Sequence, residues 1–287
     1  MRDMPRCWVV GPIAWDWPYL VPHLPSSGAF VQAERLPGRL GGTGANVARA
    51  LVSRHPLVAM IGYVGDDRHG SASEGDLRFR GINIDHIVTV AAATSEVLLF
   101  IEPTGERTIL GCVPDLLDRV TVPVQAFTRR DVAYFAAWRS SFQHAVIDAA
   151  AAGVVVASVP FAKPAVALPV SHIIGSRSEM PAAALDDPWE RYQAWTGGVV
   201  QHVTITSGAN GATTFSRLGA RKFPAVTAKV RDATGSGDAF AAAMLAAIVE
   251  RRPTASGILD GLLWGAATAA SEGSIPPAWH EVQHFRP

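Results

Sequence analysis

The chain has 287 residues, of which 48% are hydrophobic, and its 25 basic and 25 acidic residues cancel. This length and apolar content exclude a disordered chain and a small disulfide-stapled module, and they suit one large α/β domain or two modest ones. No run of Lys or Arg is longer than a pair, so the charge pattern excludes an obvious nucleic-acid surface and favours small-molecule partners.

The N-terminal residues and the cysteines indicate a cellular location. Only Cys7 and Cys112 are present, and the first residues lack the apolar segment of a secretory signal. No apolar stretch reaches the ~18 residues of a membrane span. We therefore expect a cytoplasmic protein without membrane contact.

The first informative region joins a buried strand to an aromatic-rich stretch. Cys7 to Val10 form a short apolar run that predicts a strand, and residues 13–22 hold three large aromatics and two prolines, which favour extended structure. Asp16 could accept hydrogen bonds from a sugar hydroxyl while Trp15 and Trp17 stack on an apolar ring face. Alternatively, both rings pack on one strand face and Asp16 points to water.

A second region, residues 38–51, is a glycine-rich turn that leads into an amphipathic helix. It is not a dinucleotide-binding fingerprint, because the third glycine position falls at Val47, and the chain contains no Gly-Lys pair for a P-loop. Asn46, near the start of this helix, could bond to its own backbone.

The middle of the chain predicts strands and helices in alternation. A strand begins at Val58, a helix covers 72–80, and two β-branched runs around the segment from Pro103 to Glu106 predict a β-hairpin. From Asp131 onward, continuous apolar strands alternate with helices, which indicates a parallel sheet covered on both faces. A site is then expected at the carboxyl edge of the strands.

The most distinctive stretch is residues 232–240, a glycine turn that opens directly into an alanine-rich helix. Glycines before a helix let backbone amides approach an anion, and the helix N-terminus favours phosphate. A carboxylate at Asp238 would repel bound phosphate, so it is best explained as a base aimed at an attacking hydroxyl. The alternative is that Asp232 or Asp238 only caps the helix.

The pattern Asp-x-Thr-Gly-x-Gly-Asp at 232–238 resembles the C-terminal signature of the ribokinase-like (PfkB) carbohydrate kinase family. The turn at 38–46 is similar to the N-terminal signature of the same family. The resemblance covers nearly the whole chain in the correct order. It implies a single ribokinase-like α/β domain over 1–287, with a mainly parallel central sheet, helices on both faces, and a small β-sheet lid from about 13–38 and 92–112.

The resemblance also implies roles for individual residues. Asp238 would be the base, aided by the turn residues Gly235, Ser236 and Gly237, with the amides of 233–237 stabilising the transferred group. The acceptor would be bound by four residues from the N-terminal part, Asp16, Gly41, Gly42 and Asn46. Four others would lie near ATP: Thr206, Gly208, Gly211 and Thr234.

Two metal roles follow from the same resemblance. Glu179 would hold Mg²⁺ through water, and Asp232 would lie in a region that binds a monovalent cation such as K⁺. The chain departs from the family at Ser158, where many members have the first residue of Asp-x-Asn, and at Ser176, where many have an asparagine. These departures put the metal geometry in question, and Arg177 either compensates by reaching phosphate or is a surface residue.

The resulting prediction is an ATP- and Mg²⁺-dependent kinase that phosphorylates a hydroxyl of a sugar or sugar-like molecule. One alternative is a nucleoside kinase of the same fold, with Trp15, Trp17 and Tyr19 stacking on the base. The other is a ligand-binding family member with weak or lost transfer. A homodimer through the lid is a further expectation.

Overall fold

The computed structural model describes residues 4–112, 115–180, 185–271 and 275–285. Within those ranges the chain forms fourteen strands: β1 (Cys7–Val10), β2 (Ala14–Leu20), β3 (Glu34–Arg35), β4 (Arg39–Gly41), β5 (Val58–Gly65), β6 (Asn83–Val90), β7 (Ser95–Ile101), β8 (Arg107–Cys112), β9 (Val132–Phe135), β10 (Val155–Ser158), β11 (His172–Ser176), β12 (His202–Thr206), β13 (Ala212–Ser216) and β14 (Gly219–Phe223).

The same ranges contain seven α-helices: α1 (Thr43–Val52), α2 (Arg68–Phe79), α3 (Gln143–Ala151), α4 (Pro188–Trp195), α5 (Ser236–Val249), α6 (Thr254–Ala270) and α7 (Trp279–Val282). No helix in the described ranges is long and apolar enough to cross a membrane.

The large sheet is mainly parallel, as predicted. In the described part of the chain its order is β14-β13-β12-β11-β10-β9-β1-β5-β6, and pairing is parallel from β12 through to β6. Only β13 and β14 add in antiparallel fashion at one edge. The central strands β1, β5 and β9 are buried along their whole length, because helices cover both faces.

Two apolar cores, one on each face of the large sheet, hold the layers together. On one face α5 packs between α1 and α6, and its alanines are almost all buried. Small side chains let helices approach closely, and a helix that is apolar all round belongs inside a protein. This packing fixes the N-terminus of α5, where Asp238 lies.

A second, smaller sheet has the order β3-β2-β7-β8, with β4 paired to β2. Strands β7 and β8 form the predicted hairpin, with Leu99 opposite Ile109. Strand β2 runs parallel to β7 and antiparallel to β4, and these pairings join Asp16 to Val97 and to Arg39. We call this five-stranded unit the small sheet.

Helix α2 begins at Arg68, four residues before the predicted start at residue 72. The carboxylate of Asp67 caps it by accepting a hydrogen bond from the Gly70 amide at 2.7 Å. The same carboxylate accepts bonds from the amide and the hydroxyl of Thr94, both at 2.7 Å. Asp67 therefore ties the start of α2 to the residue just before β7, which leads into the small sheet.

Candidate active site

The turn at 232–237 leads into α5 with Gly235 as the N-cap residue, whose φ of 79° is in the left-handed region. The Ala233 amide donates to the Gly105 carbonyl at 3.3 Å, and the Thr234 amide donates to the Asp232 carboxylate at 2.9 Å. The amides of Gly235 and Gly237 have no acceptor among the described residues. Only part of the predicted 233–237 amide cradle is therefore free for an anion.

Neither aspartate caps α5, so the capping alternative is wrong. The N-cap makes no side-chain hydrogen bond, Asp232 bonds within its own turn, and Asp238 lies in the first helical turn. The Asp238 carboxylate instead accepts a hydrogen bond from the side-chain amide of Asn46 at 2.9 Å. The two predicted signatures thus meet through their polar side chains, although 192 residues separate them.

Asn46 has a polar atom left over for a ligand. Its side chain is only 3% exposed, and its amide nitrogen is used by Asp238, which excludes the alternative that it bonds to its own backbone. Its amide oxygen is buried and has no hydrogen-bond partner among the described residues. Because an unpaired buried acceptor is costly, this oxygen is suited to a hydroxyl donor on a bound molecule.

Asp16 is buried rather than pointing to water, since only 3% of it is exposed. It lies against Gly41, where a Cβ would come within 2.1 Å of a carboxylate oxygen of Asp16. Gly42 follows as the N-cap of α1. The four predicted acceptor-binding residues are thus brought together, with Gly41 keeping the backbone of β4 close to Asp16.

Replacing Gly41 by Ala should raise the KM for the acceptor by about tenfold, the effect of losing one hydrogen bond to a charged group. The new methyl group would displace the Asp16 carboxylate, while the KM for ATP should change little. The measurement is ADP release at varied acceptor concentration. Gly75→Ala is the matched control, because a Cβ there meets no atom within 4 Å; an unchanged acceptor KM in Gly41→Ala would contradict the assignment.

The two site carboxylates have raised pKa values. Burial raises the pKa of Asp238 to about 6, with Glu179 also raising it, while the Asn46 hydrogen bond and the charge of Arg107 lower it. Burial likewise raises the pKa of Asp16 to about 7, with Arg39 lowering it and Asp238 raising it. Each carboxylate is therefore poised to exchange a proton near neutral pH.

The aromatic residues of β2 do not face the same way as Asp16. Successive side chains of a strand point to opposite faces, and Trp15 stacks on His69 with ring centroids 4.7 Å apart. Trp17 meets the edge of the same imidazole at 5.4 Å and lies under the Arg35 guanidinium. The prediction that these tryptophans stack on the substrate beside Asp16 is therefore wrong.

Among the predicted nucleotide residues, Thr206 ends β12, Gly208 and Gly211 follow it, and Thr234 lies in the turn before α5. The Thr206 hydroxyl donates to the Gly175 carbonyl, and Gly208 and Gly211 bracket a short turn whose ends are joined by the Ser207 amide and the Gly211 carbonyl at 2.7 Å. The Thr234 hydroxyl is buried without a partner in the described part of the chain. These groups lie on the strand edge that is expected to hold a ligand.

The two departures from the family differ in their surroundings. The Ser158 hydroxyl is fully buried without a hydrogen-bond partner among described residues, whereas the Ser176 hydroxyl bonds to that of Ser178 at 2.8 Å. Arg177 is exposed, and its guanidinium donates to the Ser207 hydroxyl at 3.4 Å, beside the predicted nucleotide turn.

The predicted metal residues have different environments. Glu179 is exposed, and its charge acts on Asp238, so it lies at the site's edge. Asp232 is buried and forms an ion pair with Arg39 at 3.3 Å. Because this ion pair already balances the charge of Asp232, its carboxylate gives no support to a K⁺ ligand role.

Sequence reasoning missed two arginines, Arg39 and Arg107, which belong to the small sheet and whose charges act on Asp16 and Asp238. Only the pairing of β4 and β8 with their neighbours brings them to this site. The alternation of side chains along each strand indicates which residues of that strand share a face. The pairing register between strands is also needed to tell which arginines share a face with Asp16.

Residues 4–281 match the pfkB family carbohydrate kinases. The chain belongs to this family. It is 28% identical over 284 residues to the ATP-dependent ribose-1-phosphate kinase of Halopiger xanaduensis (strain DSM 18323 / JCM 14033 / SH-6), with 94% of each chain covered.

Solved ribokinases have the same fold as this pfkB family kinase. The crystal structure of ribokinase from Thermotoga maritima matches with a TM-score of 0.78 at 19% identity, covering 98% of each chain. Arabidopsis thaliana ribokinase complexed with ribose and ATP matches with a TM-score of 0.73 at 19% identity, covering 99% of this chain and all of that one (100%).

These comparisons confirm three predictions, namely the family, the ribokinase-like α/β fold with its second small sheet, and an ATP-dependent phosphotransferase activity on an alcohol group. The roles of individual residues stay predictions.

Proposed function

We propose that this pfkB family kinase transfers the γ-phosphoryl group of ATP to a hydroxyl of a sugar or sugar-like molecule, with Asp238 as the base. The Asp238 carboxylate lies at the N-terminus of α5, bonded to Asn46, with a pKa raised to about 6. A base with that pKa is ionised at neutral pH yet basic enough to take a hydroxyl proton during attack.

The acceptor would be bound through its hydroxyl groups. Asp16 accepts hydrogen bonds from acceptor hydroxyls, and the unpaired amide oxygen of Asn46 accepts another. Gly41 lets the backbone of β4 lie close to the Asp16 carboxylate, and Gly42 begins α1 beside it. The reacting hydroxyl is thereby presented to Asp238, which is joined to Asn46.

The transfer step forms a bond from the acceptor oxygen to the γ-phosphorus while the bond from phosphorus to the β–γ bridging oxygen breaks. The hydroxyl proton passes to Asp238, and ADP leaves. The amides of Gly235 and Gly237 donate to the oxygens of the transferring group, with Ser236 between them. On the side of the transferring group away from the acceptor, ATP is contacted by Thr206, Gly208, Gly211 and Thr234.

Mg²⁺ supplied with ATP would neutralise phosphate charge, and the exposed carboxylate of Glu179 suits a contact through water. The described residues contain no cluster of three metal-ligating side chains. The K⁺ requirement, the lid action of the small sheet, its use in a homodimer and the cytoplasmic location stay predictions.

The acid side of the pH profile tests the two carboxylates. Because the pKa values of Asp238 and Asp16 are raised to about 6 and about 7, the ionised, active forms are lost as the pH falls through these values. We expect kcat/KM for the acceptor to fall steadily from about pH 8 to about pH 5, with two apparent pKa values that belong to the coupled pair. A profile flat down to pH 5 would contradict this assignment.

A sugar is favoured over a nucleoside, because Trp15 and Trp17 pack on the face of β2 opposite Asp16. The hydrogen bond between Asp238 and Asn46 holds the proposed base in place. It therefore argues against the alternative of a ligand-binding family member that no longer transfers phosphate. ADP release measured with sugars, sugar phosphates and nucleosides tests this proposal. Turnover with sugars or their phosphates is expected, and turnover confined to nucleosides would overturn the choice of acceptor.

A further inference from the structure

A cavity of about 520 Å³ lies at the amino edge of the large sheet, where β10 and β11 begin and where α5 ends. Its apolar wall includes Val155, Met244 and Ile248, and its volume is typical of pockets that hold small organic ligands. Asp238 and Ile248 are ten residues apart on α5, about 15 Å along the helix axis. This amino-edge cavity is therefore separate from the candidate active site.

His172, the first residue of β11, offers an unpaired acceptor to the amino-edge cavity, which it lines while only 7% exposed. The Ser171 hydroxyl donates to the Val156 carbonyl at 2.8 Å, so its oxygen accepts a bond from Nδ1 of His172 at 2.9 Å. Burial, with His202 nearby, lowers the pKa of His172 to about 3 and keeps the ring neutral. Nε2 has no hydrogen-bond partner among the described residues, so an amino or hydroxyl group of a ligand can donate to it.

The same cavity is lined by two arginines, Arg251 and Arg252, from the connection between α5 and α6. Arg252 and Arg54 pair with the two neighbouring carboxylates, those of Glu250 and Asp260. Arg251 is exposed and forms no ion pair within the described part of the chain. One positive charge at the cavity is therefore left unbalanced.

The backbone of Arg251 gives a second indication that its side chain is used. Among the described residues it is the one non-glycine residue in the left-handed region, with a φ of 55°. Glycine adopts this conformation after a helix without steric cost, whereas a side chain makes it unfavourable. Strained backbone of this kind is concentrated at functional sites, so we expect the guanidinium to have a ligand.

The start of α6 adds hydrogen-bond donors to the cavity, which Thr254 also lines. The N-cap residue Pro253 makes no side-chain hydrogen bond, and the first turn contains no acidic residue. The first amides of this helix, at Thr254 and Ala255, therefore lie uncapped at its partly positive end. Amides at a helix start and a guanidinium both suit the oxygens of a phosphate group.

We propose that the amino-edge cavity is a second ligand site, which binds a small organic phosphate whose apolar body carries an amino or hydroxyl group. The phosphate binds Arg251 and the first amides of α6, and the apolar body packs against Val155 and Ile248. The amino or hydroxyl group donates to Nε2 of His172. This inference does not depend on the proposed function, because none of these residues belongs to the candidate active site.

Calorimetric titration of a matched set of compounds tests this site, namely 4-aminophenyl phosphate, phenyl phosphate, 4-aminophenol and inorganic phosphate. The wild type should bind 4-aminophenyl phosphate about three- to tenfold more tightly than phenyl phosphate, the effect of one hydrogen bond. It should bind 4-aminophenyl phosphate at least about tenfold more tightly than 4-aminophenol, which lacks the anion. Inorganic phosphate, which has no apolar body, should bind more weakly than either ester.

Two cavity variants separate the contacts. Arg251→Gly should weaken binding of both esters at least about fivefold and leave 4-aminophenol unchanged, while Tm stays equal or rises because glycine suits this φ. Arg217→Gly, the same change at an exposed arginine between β13 and β14, is the matched control and should keep both affinities. His172→Phe should remove the preference for 4-aminophenyl phosphate over phenyl phosphate.

Four results would overturn the inference. The first is equal affinity of the wild type and Arg251→Gly for both esters, and the second is a preference for the amino group that persists in His172→Phe. The third is inhibition by 4-aminophenyl phosphate that is competitive with ATP and unchanged in Arg251→Gly, because the probe would then bind at the active site. The fourth is that none of the four compounds binds at millimolar concentration.

Discussion

Asp238→Asn should lower kcat by about 10²- to 10⁴-fold, the usual contribution of a positioned general base. The amide fills the same space next to Asn46 but cannot take the proton of the acceptor hydroxyl. Affinity for ATP should change little, because the amides of Gly235 and Gly237 remain. Steady-state ADP release and calorimetric ATP binding measure the two effects.

The folding control for this variant is its thermal unfolding. Burial raises the pKa of Asp238, so its charge is costly in the folded state, and the neutral amide should leave Tm equal or higher. Turnover close to that of the wild type would refute the assignment of Asp238 as the base. A collapse of Tm would show that this side chain supports the fold instead.

Asp16→Ala should reduce kcat/KM for the acceptor by about 100-fold or more, as expected when hydrogen bonds from two hydroxyls to a carboxylate are lost. Asp16 is 3% exposed and belongs to the small sheet, opposite Arg39. Removal of this carboxylate should therefore weaken binding of the acceptor and leave binding of ATP unchanged. Initial rates at varied acceptor and varied ATP separate these contributions.

Asp85→Ala, which removes an exposed carboxylate of β6, is the control for the loss of an acidic side chain. It should keep both KM values. If Asp16→Ala changed only the KM for ATP, the acceptor would have to bind elsewhere. The acceptor-binding roles assigned to Gly41 and Asn46 would then also be contradicted.

Much of the site was predictable because its main parts are local. The turn at 232–237 and the glycines at 41 and 42 each lead into a helix, and such sequences specify their own backbone conformation. The hairpin of β7 and β8 was likewise predictable from two β-branched runs around a turn. These elements depend on residues close together in the chain.

Other features depend on long-range pairing. The bond from Asn46 to Asp238 crosses 192 residues, and the facing of Arg107 depends on the parallel register of β2 with β7. No local pattern determines either one. The orientation of Trp15 and Trp17 is different, because the two-residue period of a strand already separates them from Asp16. That error came from grouping neighbours in sequence instead of residues on one face.

The start of α2 shows how a single side chain can shift an element. Residues 68–71 have little helix preference of their own, and the predicted helix began after them. The bond from the Gly70 amide to Asp67 makes the earlier start favourable, and two further bonds to Thr94 hold Asp67 in that position. The capping bond itself is local, whereas the two bonds from Thr94 are tertiary contacts.

The phosphoryl group is expected to move from ATP to an acceptor hydroxyl held at Asp238. The most direct measurement is ³¹P NMR of the wild type incubated with ATP, Mg²⁺ and the acceptor with the highest rate of ADP release. We expect a new phosphate monoester signal that grows in step with ADP and is nearly absent with Asp238→Asn. ADP and inorganic phosphate formed without a new ester would contradict it.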